Sequence, residues 1–130
     1  MTDPITVLVV DDEVQLQDNL VAYLEDEGFA VVTAGNGEEA LAILKIRRFD
    51  IGIIDMRLPG MDGNTFIDSA HKARPDMLFI IHTGSMNYAL PQQLKEIGLT
   101  DKDIFLKPVM DMNNLVNAIR TKLNKHKPSS

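Results

Sequence analysis

Asp11, Asp12 and Asp55 all stand where apolar runs stop. Val7–Val10 ends on Asp11-Asp12-Glu13, and Ile51–Ile54 ends on Asp55. A carboxylate delivered by a buried strand is costly unless something pairs with it. At about 5 Å and an effective dielectric of about 20, each pair of carboxylates repels by on the order of 3 kcal/mol, so three kept together ask for a cation. Carboxylates and a turn carbonyl form a hard, all-oxygen donor set, which suits Mg²⁺; that ion keeps several waters and takes a phosphate oxygen as a further ligand. Two more apolar runs end on side chains that fit such a phosphate, Thr83 with a hydroxyl and Lys107 with a point charge. Asp55 would then be the carboxylate nucleophile toward phosphorus, and Glu13 would reach the ion through water.

The elements that must position these groups read as alternating strands and helices. Ile5–Val10 is a first strand, and Val14–Glu27 is a helix with Leu16, Leu20, Tyr23 and Leu24 at helical spacing and Gly28 as its C-terminal cap. Ala30–Thr33 is a second strand, followed by a Gly35-Asn36-Gly37 turn and a helix that opens on Glu38 and Glu39 and buries Ala40, Leu41 and Leu44. Ile51–Asp55 is the third strand, and Leu58, Pro59, Gly60 and Gly63 turn the chain over the surface. Asn64 caps a helix running to about Arg74, with Phe66, Ile67 and Ala70 inward and Pro75 at its end. Leu78–His82 is a fourth strand closing on Thr83, Gly84 and Ser85. A long loop and a short helix, Pro91–Ile97, follow, because proline suits only a first helical turn. Ile104–Leu106 is the fifth strand, and Asn113–Lys125 is the last helix, with Leu115, Ile119 and Leu123 in one stripe and Arg120, Lys122 and Lys125 near its C-terminus. This alternation predicts an α/β fold, a flavodoxin-like, doubly wound five-stranded parallel sheet of order 2-1-3-4-5 with five helices. In that order the Asp11/Asp12 pair meets Asp55 at one edge.

At 130 residues the chain has the size of one domain. We expect that domain to span residues 1–126, with 127–130 as a tail or the start of a linker. The absence of cysteine excludes disulfides, a thiol nucleophile and cysteine-ligated metals. A net charge of −6 argues against direct nucleic-acid binding. No apolar run approaches the roughly 20 residues that cross a bilayer, and Met1-Thr2-Asp3-Pro4 is unlike a signal segment, so the expected place is the cytoplasm, away from membranes.

Four stretches carry a family resemblance: VLVVDDE at Val7–Glu13, DMRLPGMDG at Asp55–Gly63, HTGS at His82–Ser85 and LKPV at Leu106–Val109. In this order the chain resembles the receiver domain of bacterial two-component response regulators. The resemblance implies that Asp55 is the phosphoacceptor, that Asp12 binds Mg²⁺ directly, and that Asp11 acts mostly through water. It implies the Arg57 backbone carbonyl as a further metal ligand, Thr83 as the switch hydroxyl, Lys107 as the phosphate-binding lysine and Pro108 after a cis peptide. The implied donor is a phosphohistidine on a sensor histidine kinase or histidine phosphotransfer protein. Further implied partners are a second copy of the chain and a downstream effector domain or protein, so the chain would be a signalling domain that promotes only its own phosphotransfer and dephosphorylation. Two features depart from the family pattern. Ile104 stands where an aromatic switch residue is usual, with Phe105 one place later on the opposite strand face, so aromatic coupling to Thr83 is not expected there. Gly98 also lies farther from Lys107 than the pattern has it, and Pro91 shortens the preceding helix, which reshapes the fourth-helix and fifth-strand surface used for dimerisation or output.

Each residue alone has a plainer reading. Asp11-Asp12 is also an N-cap pattern, Asp55 a turn residue and Lys107-Pro108 a surface lysine before a loop. Their joint placement at strand ends is what favours a site. His71, His82 and His126 share no ligand spacing and read as surface or packing residues. The methionines read as core filler, or as a soft surface around Met56 and Met61. Arg57 and Ser85 are expected to tune phosphate lifetime. A Mg²⁺-dependent aspartate-nucleophile phosphohydrolase of the haloacid dehalogenase kind would need D-x-D with Asp11 as nucleophile, but Glu13 holds the third position. A receiver-shaped interaction module without phosphotransfer is the third reading.

Overall fold

Runs of β-branched residues and leucine with no polar alternation form strands that are buried on both faces. The computed structural model describes residues 3–107, 109 and 111–126; Pro108, the 127–130 tail and the side chains of Leu16 and His126 lie outside the described residues. In chain order the elements are β1 Thr6–Val10, α1 Val14–Asp26, β2 Ala30–Ala34, α2 Gly37–Ile46, β3 Ile51–Asp55, α3 Gly63–Ala73, β4 Leu78–Thr83, α4 Gln92–Glu96, β5 Ile104–Leu106 and α5 Met112–His126. The strands form one parallel sheet in the expected order β2-β1-β3-β4-β5. The register pairs Val10 with Ile54, Asp55 with His82 and Thr83 with Leu106, which brings the carboxyl ends of β1, β3, β4 and β5 to one edge.

Alternate strand residues face two separate cores. Leu8, Val10, Ile54, Phe79 and Ile81 pack with Leu44, Phe66, Ile67 and Leu94 from α2, α3 and α4. Val7, Val9, Ile51, Ile53 and Ile80 pack with Leu20, Leu24, Leu115, Val116 and Ile119 from α1 and α5. Ile104 joins the first core and Phe105 the second, as a period of two requires. Met56 and Met61 are used as filler: Met56 is buried, and Met61 lies against Gly37, where an added Cβ would meet its Sδ at 3.1 Å.

The helix ends differ from the sequence reading in instructive ways. Gly28 caps α1 as expected, at φ +95°. Gly37 opens α2 instead of closing a turn, because Asn36 accepts the Glu39 N–H at 2.7 Å as N-cap. Asp62, not Asn64, caps α3, accepting the Thr65 N–H at 2.8 Å. The cause is Gly63, where a Cβ would fall 2.6 Å from the Asp55 carbonyl oxygen; glycine lets the start of α3 rest on the exit of β3. Pro91 stays outside α4 as its N-cap residue, so this helix is shorter than Pro91–Ile97. The extra length between Gly98 and Lys107 is taken up by a single 3-10 turn, Asp101–Asp103, held by a reciprocal Thr100/Asp103 capping box. β4 runs one residue further than Leu78–His82, because the Lys107 N–H donates to the Thr83 carbonyl at 2.8 Å. Asp111 Oδ1 accepts from the Asn113 and Asn114 backbones at 3.0 and 3.4 Å, and α5 starts at Met112.

Candidate functional site

β1 releases the chain at Val10, and the next two residues fix the first carboxylate. The Asp11 N–H donates to the Ala34 carbonyl at 3.0 Å, and its Oδ1 accepts the Glu13 N–H at 2.8 Å. Gln17 of α1 ties the ends of β1 and β2 by donating its amide to the Asp11 and Ala34 carbonyls at 3.0 and 3.3 Å. β3 ends on Asp55, whose Oδ1 accepts the Arg57 N–H at 3.0 Å. Thr83, fully buried at the end of β4, accepts the Ser85 N–H on Oγ1 at 3.2 Å.

Lys107 closes the arrangement from beyond β5. Its Nζ lies 2.9 Å from Asp11 Oδ2, 2.9 Å from Asp55 Oδ2 and 3.0 Å from Glu13 Oε1, donating hydrogen bonds to Asp55 and Glu13 and pairing by charge with Asp11. The side chains of Asp11, Asp55 and Lys107 are 1%, 4% and 8% exposed, whereas Glu13 is 57% exposed. Glu13 therefore meets Lys107 directly, a contact that the sequence reading had assigned to neither. Burial disfavours the lysine charge, but the hydrogen bonds to Asp11, Asp55 and Glu13 outweigh it and hold the ammonium above its usual range. Burial pushes Asp55 above the usual carboxylate range, and the Arg57 N–H and Lys107 recover only part of that, because Lys107 is shared and Asp11 adds a like charge.

One oxygen each from Asp11, Asp12, Glu13 and Asp55 lie within 4.8 Å of one another. The donors are all carboxylate oxygens, two buried and two at the exposed rim, and they fit a hard divalent cation. The structure thus brings Asp11, Asp12, Asp55 and Lys107 together, with Thr83 at the adjoining strand end. Arg57 presents its N–H to the site while its side chain is exposed, and Ser85 is half-buried. Ile104 and Phe105 stand below the site in the two cores, and Pro108 falls outside the described residues.

His82 is the site neighbour that sequence reasoning missed. It is buried at 5% exposure, the packing alternative of the sequence reading, but with Nδ1 3.9 Å from Asp11 Oδ2 and Nε2 without a hydrogen-bond partner. Burial, and then the charge of Lys107, lower its pKa to about 4, so the imidazole is neutral. The signal available was its place, directly before Thr83 at the end of an apolar run.

A model of the response regulator receiver domain matches residues 7–120, and the chain belongs to that family. It is 33% identical over 130 residues to the transcriptional regulatory protein GlrR of Escherichia coli, covering 98% of this chain and 28% of that protein. It is 30% identical over 114 residues to sporulation initiation phosphotransferase F of Bacillus subtilis, covering 88% of this chain and 90% of that one. The response regulator TrrA of Thermotoga maritima, solved in complex with Mg(2+)-BeF, matches at a TM-score of 0.78 and 28% identity over 92% of this chain and 98% of its own. The chain thus spans under a third of the first transcriptional regulators it matches and nearly the whole of the phosphotransferase. It is a receiver of two-component signalling, a phosphorylation-dependent switch. Among the described residues no helix is long and apolar enough to cross a membrane.

Proposed function

We propose that Asp55 accepts the phosphoryl group, from a phosphohistidine on a sensor kinase or phosphotransfer protein in the cytoplasm. One observation carries this reading: Lys107 Nζ sits 2.9 Å from both Asp11 and Asp55, a buried cation beyond β5 shared by carboxylates from the ends of β1 and β3. In the transfer, a carboxylate oxygen of Asp55 forms a bond to phosphorus, the donor's P–N bond breaks, and the leaving imidazole takes up a proton. Asp12, Asp11, Asp55 and the Arg57 carbonyl would hold Mg²⁺, and the metal-bound TrrA structure supports that choice of ion. Bound there, Mg²⁺ would supply positive charge against the carboxylate repulsion and the phosphoryl oxygens. Lys107 is then free to leave a carboxylate for a phosphoryl oxygen, and the Thr83 hydroxyl can exchange the Ser85 N–H for another oxygen. Thr83 and Ser85 share one short loop, so that exchange moves the segment leading to α4, the surface offered to a second copy or an effector.

Beryllofluoride with Mg²⁺ should shift the amide signals of Thr83, Ser85 and Lys107, and acetyl phosphate should label Asp55. Label on Asp11 would instead indicate a phosphohydrolase, and no response in either experiment would leave only an interaction module.

A further inference from the structure

His82 stands opposite Asp55 across the β3–β4 ladder, in a run whose other members are Leu78, Phe79, Ile80, Ile81 and Thr83. A valine or isoleucine would fill that place without burying a polar atom. The imidazole instead turns Nδ1 toward Asp11 Oδ2 at 3.9 Å and leaves Nε2 buried without a partner. A neutral imidazole carries one proton, and beside a carboxylate it belongs on the nearer nitrogen. Nδ1 is therefore a donor facing Asp11, and Nε2 is the bare acceptor.

Both Asp11 oxygens are already engaged, Oδ1 by the Glu13 N–H at 2.8 Å and Oδ2 by Lys107 at 2.9 Å. If Lys107 turns to a phosphoryl group on Asp55, the bond to Asp11 Oδ2 is one it can surrender. The Asp11 side chain is only 1% exposed, which leaves little room for water to replace that donor. His82 Nδ1 waits about 1 Å outside hydrogen-bond range. Resting on the reading of Asp55 as acceptor, we propose that His82 is a positioning residue: its Nδ1–H takes over Asp11 Oδ2 when Lys107 leaves, and so keeps Asp11 in place beside the divalent ion.

The test uses the whole chain labelled with ¹⁵N-histidine, metal-free, with Mg²⁺ alone, and with Mg²⁺ and beryllofluoride. The Nδ1-bound proton of His82 should move downfield, and exchange more slowly with water, only in the third sample. His82→Asn keeps an amide nitrogen near the Nδ1 position, His82→Gln places one near Nε2, and His82→Leu removes both. Beryllofluoride binding should weaken roughly tenfold or more in the Gln and Leu variants and stay within about threefold in Asn, the scale of one hydrogen bond to a charged group. Affinity for Mg²⁺ alone should stay within about twofold in all three, since Lys107 still serves Asp11 there. Equal behaviour of the three variants, or a common loss of Mg²⁺ affinity, would reduce His82 to packing and overturn the proposal. An unmoved His82 signal while the Thr83 and Lys107 amides shift would overturn it too and spare the Asp55 reading. No shift at those amides in the wild type would bring down both.

Discussion

The acidic pocket and the flank between β4 and β5 begin at neighbouring residues and are built on opposite plans. In the pocket the three buried oxygen-bearing side chains are each fixed by a backbone N–H two residues on: Asp11 by Glu13, Asp55 by Arg57 and Thr83 by Ser85. The flank carries Met86 at 85% exposure, Leu106 at 46%, and a helix of only five residues. Tyr88 tethers it by donating its hydroxyl to Asn64 Oδ1 at 2.8 Å, which links the loop to the first turn of α3. Chemistry at phosphorus needs groups held in place before the reaction, whereas a surface that reports the reaction needs to be loosely held. The hydrogen bonds lie where the proposed transfer would occur, and the neighbouring segment is the more exposed of the two.

Asp55→Asn should break the pocket completely as an acceptor: labelling by acetyl phosphate, read by mass spectrometry, falls to background. The same change should leave the fold more stable at pH 7 in urea titrations, because burial disfavours the Asp55 charge. The sign follows from the raised pKa of Asp55, since the stability this residue contributes is full below 3.8 and is lost as pH rises through the raised folded value. The advantage of asparagine should fade again as the solution is acidified toward 3.8, and a variant less stable at neutral pH would contradict the account of burial. Lys107→Ala should cost about 3 kcal/mol without metal, because it strands two buried carboxylates, and excess Mg²⁺ should restore part of that loss in a thermal melt. A metal-independent melt would show that the carboxylates do not share an ion. Tyr88→Phe should have the smallest effect, under about 1 kcal/mol, with Asp55 labelling unchanged. Its trace should be faster amide exchange confined to residues 85–90; slower labelling would mean that flank and pocket are not separable.

The sheet was legible because β1, β3 and β4 are almost wholly apolar runs, and each of these runs gives way to a polar residue that does not belong in a core, Asp11, Asp55 or Thr83. The same feature concealed His82. β4 is buried on both faces, so there is no polar alternation to show which way a polar member points, and the imidazole reads as one more packing residue. The cap of α3 was misplaced because Asp62 and Asn64 are equally good cap formers on either side of Gly63; contact of that glycine with the Asp55 carbonyl decides between them. The opposite facing of Ile104 and Phe105 followed from strand period alone, whereas the 3-10 turn that absorbs the added length before β5 depends on a capping box between Thr100 and Asp103.

The sequence by itself determined which carboxylates, hydroxyl and lysine arrive at the rim of the sheet, since the order of apolar runs and crossovers dictates strand order. Only the tertiary structure decided how the lysine is shared among Asp11, Asp55 and Glu13, and that a histidine stands next to Asp11. Those arrangements turn on differences of about 1 Å between strand ends, and such distances are set by register and packing across the whole sheet, not by any local pattern of residues.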